Sequence, residues 1–226
     1  MATKYNLMSQ LVFKFPFKTK YYEQDYYVSS NNFSAYRLIE SWPSWPGKWV
    51  NIFGPKGCGK THLCNILKKK LSLVKIINAK DVNNKTILMF EKLDCLIIDN
   101  YDANIQEKIF YSILNQSKQL DKYLVINSIL PISDIKFELK DLKSRAKSFV
   151  NLGIELPTDD LLRVIIAKSF SDKQIEITPK ISEYIIKNIE RSYEKVFKFI
   201  KEIDDLSLSS GKSININLIK KVLVDE

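Results

Sequence analysis

The stretch "GPKGCGKT", Gly54 to Thr61, decides the fold. It fills the pattern G-x-x-x-x-G-K-[ST], and it lies where that pattern has a physical use. Before it stands the short apolar run "WVNIF" (49–53), which reads as a buried strand; after it come Leu63, Ile66, Leu67 and Leu71 at helical spacing. In a loop between strand and helix, successive backbone N–H groups converge on a phosphate and the helix dipole adds partial positive charge. Gly54, Pro55, Lys56, Gly57, Cys58, Gly59, Lys60, Thr61 and the adjoining His62 are therefore candidate nucleotide-binding residues. Lys60 is expected to reach the β- and γ-phosphates, and the Thr61 hydroxyl to hold Mg²⁺. The plainer reading of the same glycines is a turn that only joins strand to helix.

Working outward, "LIIDN" (96–100) drives three apolar residues into Asp99, the natural magnesium partner of Thr61. Asn100 follows where many nucleoside triphosphatases carry a second acid. An amide cannot take a proton, and losing a general base costs about 10²- to 10⁴-fold in rate, so intrinsic turnover is expected to be slow. Asn127 ends "YLVIN" (123–127) on the strand expected beside that of Asp99. There it could orient water near a γ-phosphate, or simply form the turn before "SILP".

Strands and helices alternate from Lys48 onward: "VKIIN" (74–78), "CLIID" (95–99) ahead of a helix with Ile105, Ile109 and Ile113, "YLVIN", a helix over 138–147, and "FVNLGIEL". Such alternation predicts a parallel sheet covered on both faces. Beyond Pro157 only helical patterns remain: 159–170, a helix opened by the Thr178-Pro179 N-cap, one carrying Val196, Phe199, Ile200 and Ile203, and a last piece over 214–223. The expected fold class is α/β, a P-loop parallel-sheet core with a small C-terminal helical lid. The expected division is a flexible tail over 1–20, the α/β domain over 21–156 and the lid over 157–226.

Composition narrows the chemistry. Three cysteines without a C-x-x-C pair suggest neither a disulfide framework nor a zinc site, and one histidine removes most histidine-based triads and metal sites. No apolar run reaches the ~18 residues of a membrane span, so a cytoplasmic protein is expected. The net charge of +9 rests on lysines scattered through an Ile- and Asn-rich chain, a mix that AT-rich coding produces without selection for DNA. Only four of the 35 basic residues are arginines, Arg37, Arg145, Arg163 and Arg191, so each needs its own explanation.

A phosphate loop, an acid closing the third strand, a polar residue closing the fourth, "DLKSR" (141–145) and a helical lid together resemble the AAA+ ATPases of the replication-initiator group. Within it the chain looks like the Hda regulators, which are similar to the ATPase core of the bacterial initiator DnaA. The likeness covers nearly the whole chain and is carried by "QLVFKF" (10–15), "SWPSWP" (41–46), "GPKGCGKTH", "LIIDN" and "DLKSRAKSF" (141–149). Some Hda proteins have the same Asp-Asn pair, whereas DnaA usually shows Asp-Asp.

The resemblance implies bound ADP or ATP with Mg²⁺, and it implies roles for individual residues. Arg145 matches an arginine finger presented to the nucleotide of a neighbouring molecule; read without the family it is a helix-end ion pair. Gln10, Leu11, Phe13 and Phe15 match a peptide that docks on the DNA polymerase sliding clamp; the bland alternative is a tail strand packed on its own domain. The lid's sensor arginine would fall near Glu194, and Arg191 stands three residues earlier, about one helical turn. Arg163 reads as a surface or interdomain ion pair.

The implied activity is that of a regulator which, with the DNA-loaded clamp, promotes hydrolysis of ATP held by DnaA and so inactivates initiation. A helicase- or clamp-loading ATPase and a passive DnaA paralogue remain alternatives. The expected partners are DnaA and the clamp, with location on the nucleoid through the clamp, no membrane, and homo-oligomerisation left open. DnaA continues past its lid into a helix-turn-helix domain and this sequence ends with the lid complete at Glu226, so DNA contact is expected to be only indirect or nonspecific.

Overall fold

The computed structural model describes residues 26–210 and 214–224. The tail over 1–20, with Gln10, Leu11, Phe13 and Phe15, lies outside the described residues. The chain divides into two compact units, one over Tyr21–Leu156 and the other containing the chain from Pro157 onward.

In the first unit, helix α1 (Phe33–Glu40) leads into strand β1 (Trp49–Phe53), and the glycine loop opens α2 (Lys60–Lys70). Then follow β2 (Val74–Asn78), α3 (Asn84–Phe90), β3 (Cys95–Tyr101), α4 (Glu107–Gln119), β4 (Tyr123–Ser128), α5 (Lys140–Ala146) and β5 (Val150–Gly153). The five strands form one sheet in the order β2-β3-β4-β1-β5, and every pairing is parallel. β1 and β4 are apolar at nearly every position because a parallel sheet is covered on both faces. Leu96, Ile98, Leu124 and Ile126 meet Phe90 of α3, Phe110, Ile113 and Leu114 of α4 and Leu142 of α5 in one core. On α2, Leu63, Ile66 and Leu67 are fully buried, and the exposed Lys68, Lys69 and Lys70 close its C-terminal turn, where cations complement the dipole.

Two elements depart from the periodic reading. α3 was not expected: its seven residues are too few to display a helical period, and it is set instead by a capping box between Asn83 and Thr86. α4 begins at Glu107, so Ile105 packs from the preceding loop rather than from the helix.

The second unit holds four helices among the described residues, α6 (Asp159–Ser171), α7 (Pro179–Asn188), α8 (Tyr193–Ser210) and α9 (Ile216–Val224). Its core joins Leu162, Ile166 and Phe170 to Ile185, Val196, Phe199, Ile203 and Ile219. Thr158 and Thr178 cap α6 and α7 by accepting from the N–H groups of Leu161 and Ile181. Among the described residues no helix is long and apolar enough to cross a membrane.

One buried polar residue ties the centre of the sheet to the loop after β4. Asn51, fully buried on β1, donates to the Ile126 carbonyl at 3.0 Å and to Ser128 Oγ at 2.8 Å, and accepts from the Ile132 N–H at 2.8 Å. Asn51→Ala leaves these groups without partners, and the expected cost is about 2–4 kcal/mol, read as a lower urea midpoint with an unchanged slope.

Candidate functional site

The parallel register sets the site before any side chain is considered. Ile52 pairs with Asn127 and Phe53 with Ser128, while Asn78 pairs with Asp99, so the ends of β1, β3 and β4 lie together at the carboxyl edge of the sheet. In open α/β sheets ligands bind at that edge. The Gly54 N–H closes the edge by donating to the Ser128 carbonyl at 3.3 Å.

The loop can only be built from glycine at its two ends. Gly54 has φ +152°, and a Cβ there would stand 2.4 Å from the Ile154 carbonyl oxygen. Gly59 has φ +97°, and its Cβ would meet the Tyr26 ring at 2.9 Å. Lys60 turns back along the loop and donates to the carbonyls of Gly54 at 2.7 Å and Pro55 at 2.8 Å. The first turn of α2 has no side-chain cap and no acidic residue. Its N–H groups are left for an anion.

Thr61 Oγ1 donates to Asp99 Oδ2 at 2.8 Å. The other carboxylate oxygen, Oδ1, accepts from Asn127 Nδ2 at 2.9 Å and from the Asn100 N–H at 3.1 Å. A hydroxyl and a carboxylate in contact suit Mg²⁺, which takes one or two protein oxygens and completes its shell with phosphate and water. No cluster of three His, Cys, Asp or Glu exists among the described residues to hold a metal by itself. The donor set therefore fits a magnesium ion carried by a nucleotide.

Asn127 is fully buried, and its amide is held from both sides: Nδ2 faces Asp99, and the Cys64 thiol donates to Oδ1 at 3.4 Å. Burial, reinforced by the nearby Asp99 carboxylate, pushes the Cys64 thiol up to about 12, so the S–H proton stays in place through the neutral range. Burial likewise raises Cys58, against the opposing pull of Lys60, and raises Cys95.

Asn100 sits at an irregularity in the β3–β4 pairing with φ +58°. Asn tolerates the left-handed region better than most residues. This backbone shape suits Asn100, though an aspartate would also adopt it.

Tyr26 and Cys64 were not singled out by sequence. Tyr26 lies across Gly59, stacks on Tyr36 at 5.9 Å and meets His62 edge-on at 5.3 Å. A lone tyrosine upstream carries no motif. For Cys64, its place on the inner face of α2, one turn after Lys60, was the available signal.

Arg145 is not brought to this site. It lies near the end of α5 with its guanidinium 4.7 Å above the Tyr111 ring, and Nη2 donates to Tyr111 Oη at 3.5 Å. Its cavity is lined by Lys48 and Trp49, at the start of β1. The loop begins at the other end of that strand, about 16 Å away at the usual rise per residue. In the second unit, Arg191 makes a two-point ion pair with Asp159 at 2.9 and 3.1 Å. Arg163 pairs with Asp160 and Glu183 on the surface of the same unit.

No protein-family model matches the chain. The chromosomal replication initiator protein DnaA of Buchnera aphidicola (subsp. Baizongia pistaciae) is 26% identical to it, across 96% of this chain and 53% of the relative. Domain III of the Thermotoga maritima replication initiation protein DnaA has a TM-score of 0.77 to it at 19% identity, covering 93% of this chain and 98% of that one. AMPPCP-bound DnaA from Aquifex aeolicus has a TM-score of 0.67 at 22% identity, covering 83% of this chain and 65% of that one. The chain spans about half the length of the curated relatives it matches. It shares its fold with these structures.

All three cysteines are buried and their thiols are held protonated. At pH 8 the folded chain is expected to react with iodoacetamide at least about 10-fold more slowly than the urea-unfolded chain, by mass spectrometry. Gly54→Ala should lower stability by about 2 kcal/mol or more, read as a fall in Tm, because the obstructing atom belongs to the backbone.

Proposed function

We propose that this chain is a nucleotide-binding AAA+ regulator of DnaA. It holds ADP or ATP with Mg²⁺ in the 54–61 loop and docks on the DNA-loaded sliding clamp through Gln10, Leu11, Phe13 and Phe15. From there it presents Arg145 to ATP held by DnaA and promotes its hydrolysis.

The observation that carries the reading is the separation of two competent sites on one sheet. Gly54, Lys60, Thr61 and Asp99 gather at the carboxyl edge, while Arg145 stands one strand length away from its own phosphate loop. A guanidinium so placed does not reach its own loop, which supports a role at another molecule's site. Lys60 and the α2 N–H groups would hold the phosphate chain, and Thr61 and Asp99 would hold the magnesium, which would supply charge neutralisation. Asn100 supplies no proton acceptor, so the chain keeps its own nucleotide for long periods. Asn127 acts by fixing the Asp99 carboxylate. AMPPCP in the DnaA of Aquifex aeolicus supports an adenine nucleotide here as well.

The test mixes ATP-bound DnaA, DNA-loaded clamp and this protein. Arg145→Ala should lower the stimulated hydrolysis by about 10³-fold, the usual worth of a finger supplied in trans. Deleting residues 1–20 should remove the dependence on clamp. If Arg145→Ala hydrolyses at the wild-type rate, the finger role is wrong; a passive paralogue would behave that way. Asn100→Asp, assayed with this chain alone, separates the loader reading, which requires substantial turnover by the wild-type protein itself.

A further inference from the structure

We infer that the cavity beside Arg145 is a built receiving site for the phosphate chain of a nucleotide held by a second molecule, in which Lys118, Ser144 and Ser148 act together with the arginine. The inference rests on the proposed role of Arg145 and deepens it, from one side chain to a site.

The cavity, at 490 Å³, has the volume of a small-ligand site, about 300–1,000 Å³. Arg145, Lys48, Lys118 and Lys122 line it against a single carboxylate, Asp121. Two of these cations are already engaged. Lys48 is bonded to Asp121 and lies 5.0 Å over the Tyr123 ring, and Lys122 donates to the Leu93 carbonyl. They are fixed in place and raise the local potential.

The remaining donors have capacity. Nη1 of Arg145 is buried and has no hydrogen-bond partner, an uncommon condition for a guanidinium N–H, which is normally paired when removed from water. The Lys118 ammonium and the hydroxyls of Ser144 and Ser148 have no hydrogen bond among the described residues.

The wall behind them is rigid. Ser117 Oγ accepts from Trp49 Nε1 at 2.9 Å and donates to the Lys122 carbonyl at 2.7 Å. Arg145 is held on Tyr111, whose hydroxyl donates to Asp141 at 3.3 Å. A single carboxylate could satisfy the guanidinium but would leave Lys118 and the two hydroxyls unused. A compact, multiply charged anion with several acceptor oxygens uses all of them, and a polyphosphate is that anion.

Tripolyphosphate, titrated calorimetrically into the full chain carrying Lys60→Ala, tests this directly. The same titration into the wild-type chain saturated with ADP covers the case in which Lys60→Ala does not fold. Arg145→Ala and Lys118→Ala are each expected to raise Kd by about 10-fold. Lys85→Ala, an exposed lysine outside the lining, should change it less than about 2-fold, the general effect of one screened charge.

Equal Kd values for all three variants would overturn the inference. So would an oligodeoxythymidylate that binds more tightly with the same residue dependence, because the phosphates would then belong to a nucleic-acid backbone. The DnaA hydrolysis assay separates the two levels. If Lys118→Ala leaves both tripolyphosphate binding and stimulated hydrolysis at wild-type values while Arg145→Ala abolishes hydrolysis, the site fails and the finger stands. If both variants weaken tripolyphosphate binding and neither alters hydrolysis on DnaA, the finger fails and the anion site stands.

Discussion

The hydrogen bond from Thr61 to Asp99 joins the first turn of α2 to the carboxyl end of β3, although β2 and α3 lie between them in sequence and β4 lies between β1 and β3 in the sheet. It forms only if the sheet is parallel and if β4 is inserted between β3 and β1. The glycines at 54 and 59 let the chain turn tightly enough to deliver Thr61 there. Asn127, on the intervening strand, then completes a hydrogen-bonded line from helix to sheet. The arrangement of this edge follows from topology first and residue choice second.

Much of this was legible because it is written in local patterns. The loop motif, the apolar strands and the Thr178-Pro179 cap each depend on a few consecutive residues and on 2- or 3.6-residue periods. Asp99 and Asn127 were legible as strand-end polar residues. What their partners are was not: Cys64 reaches Asn127 only through the packing of α2 on the sheet, and Tyr26 reaches Gly59 from a segment with no period of its own. α3 escaped because a seven-residue helix fixed by its cap gives no periodic signal. The cavity around Arg145 escaped for a different reason. Its cations come from the residue before β1, from α4 and the turn after it, and from α5, distant in sequence, and scattered lysines look alike until a fold sorts them.

The two arginines of the second unit make the complementary point. Arg163 and Arg191 each find acidic partners within their own unit, Asp160 with Glu183 and Asp159 respectively. Exposed ion pairs of this kind contribute about 0–1 kcal/mol, so they hold little and release easily. Arg145 differs: it rests on an aromatic face rather than on a carboxylate, which leaves its charge uncompensated.

Tryptophan placement has a practical consequence. Trp42 and Trp45 pack around Tyr123 at the start of β4, and Trp49 opens β1 with its indole N–H bonded to Ser117. These are all the tryptophans of the chain, and none belongs to the 54–61 loop. Intrinsic fluorescence of the native protein is therefore a spatially selective optical probe: it views the arginine end of the sheet through an emitter in the cavity wall, while the loop one strand length away contributes no indole light.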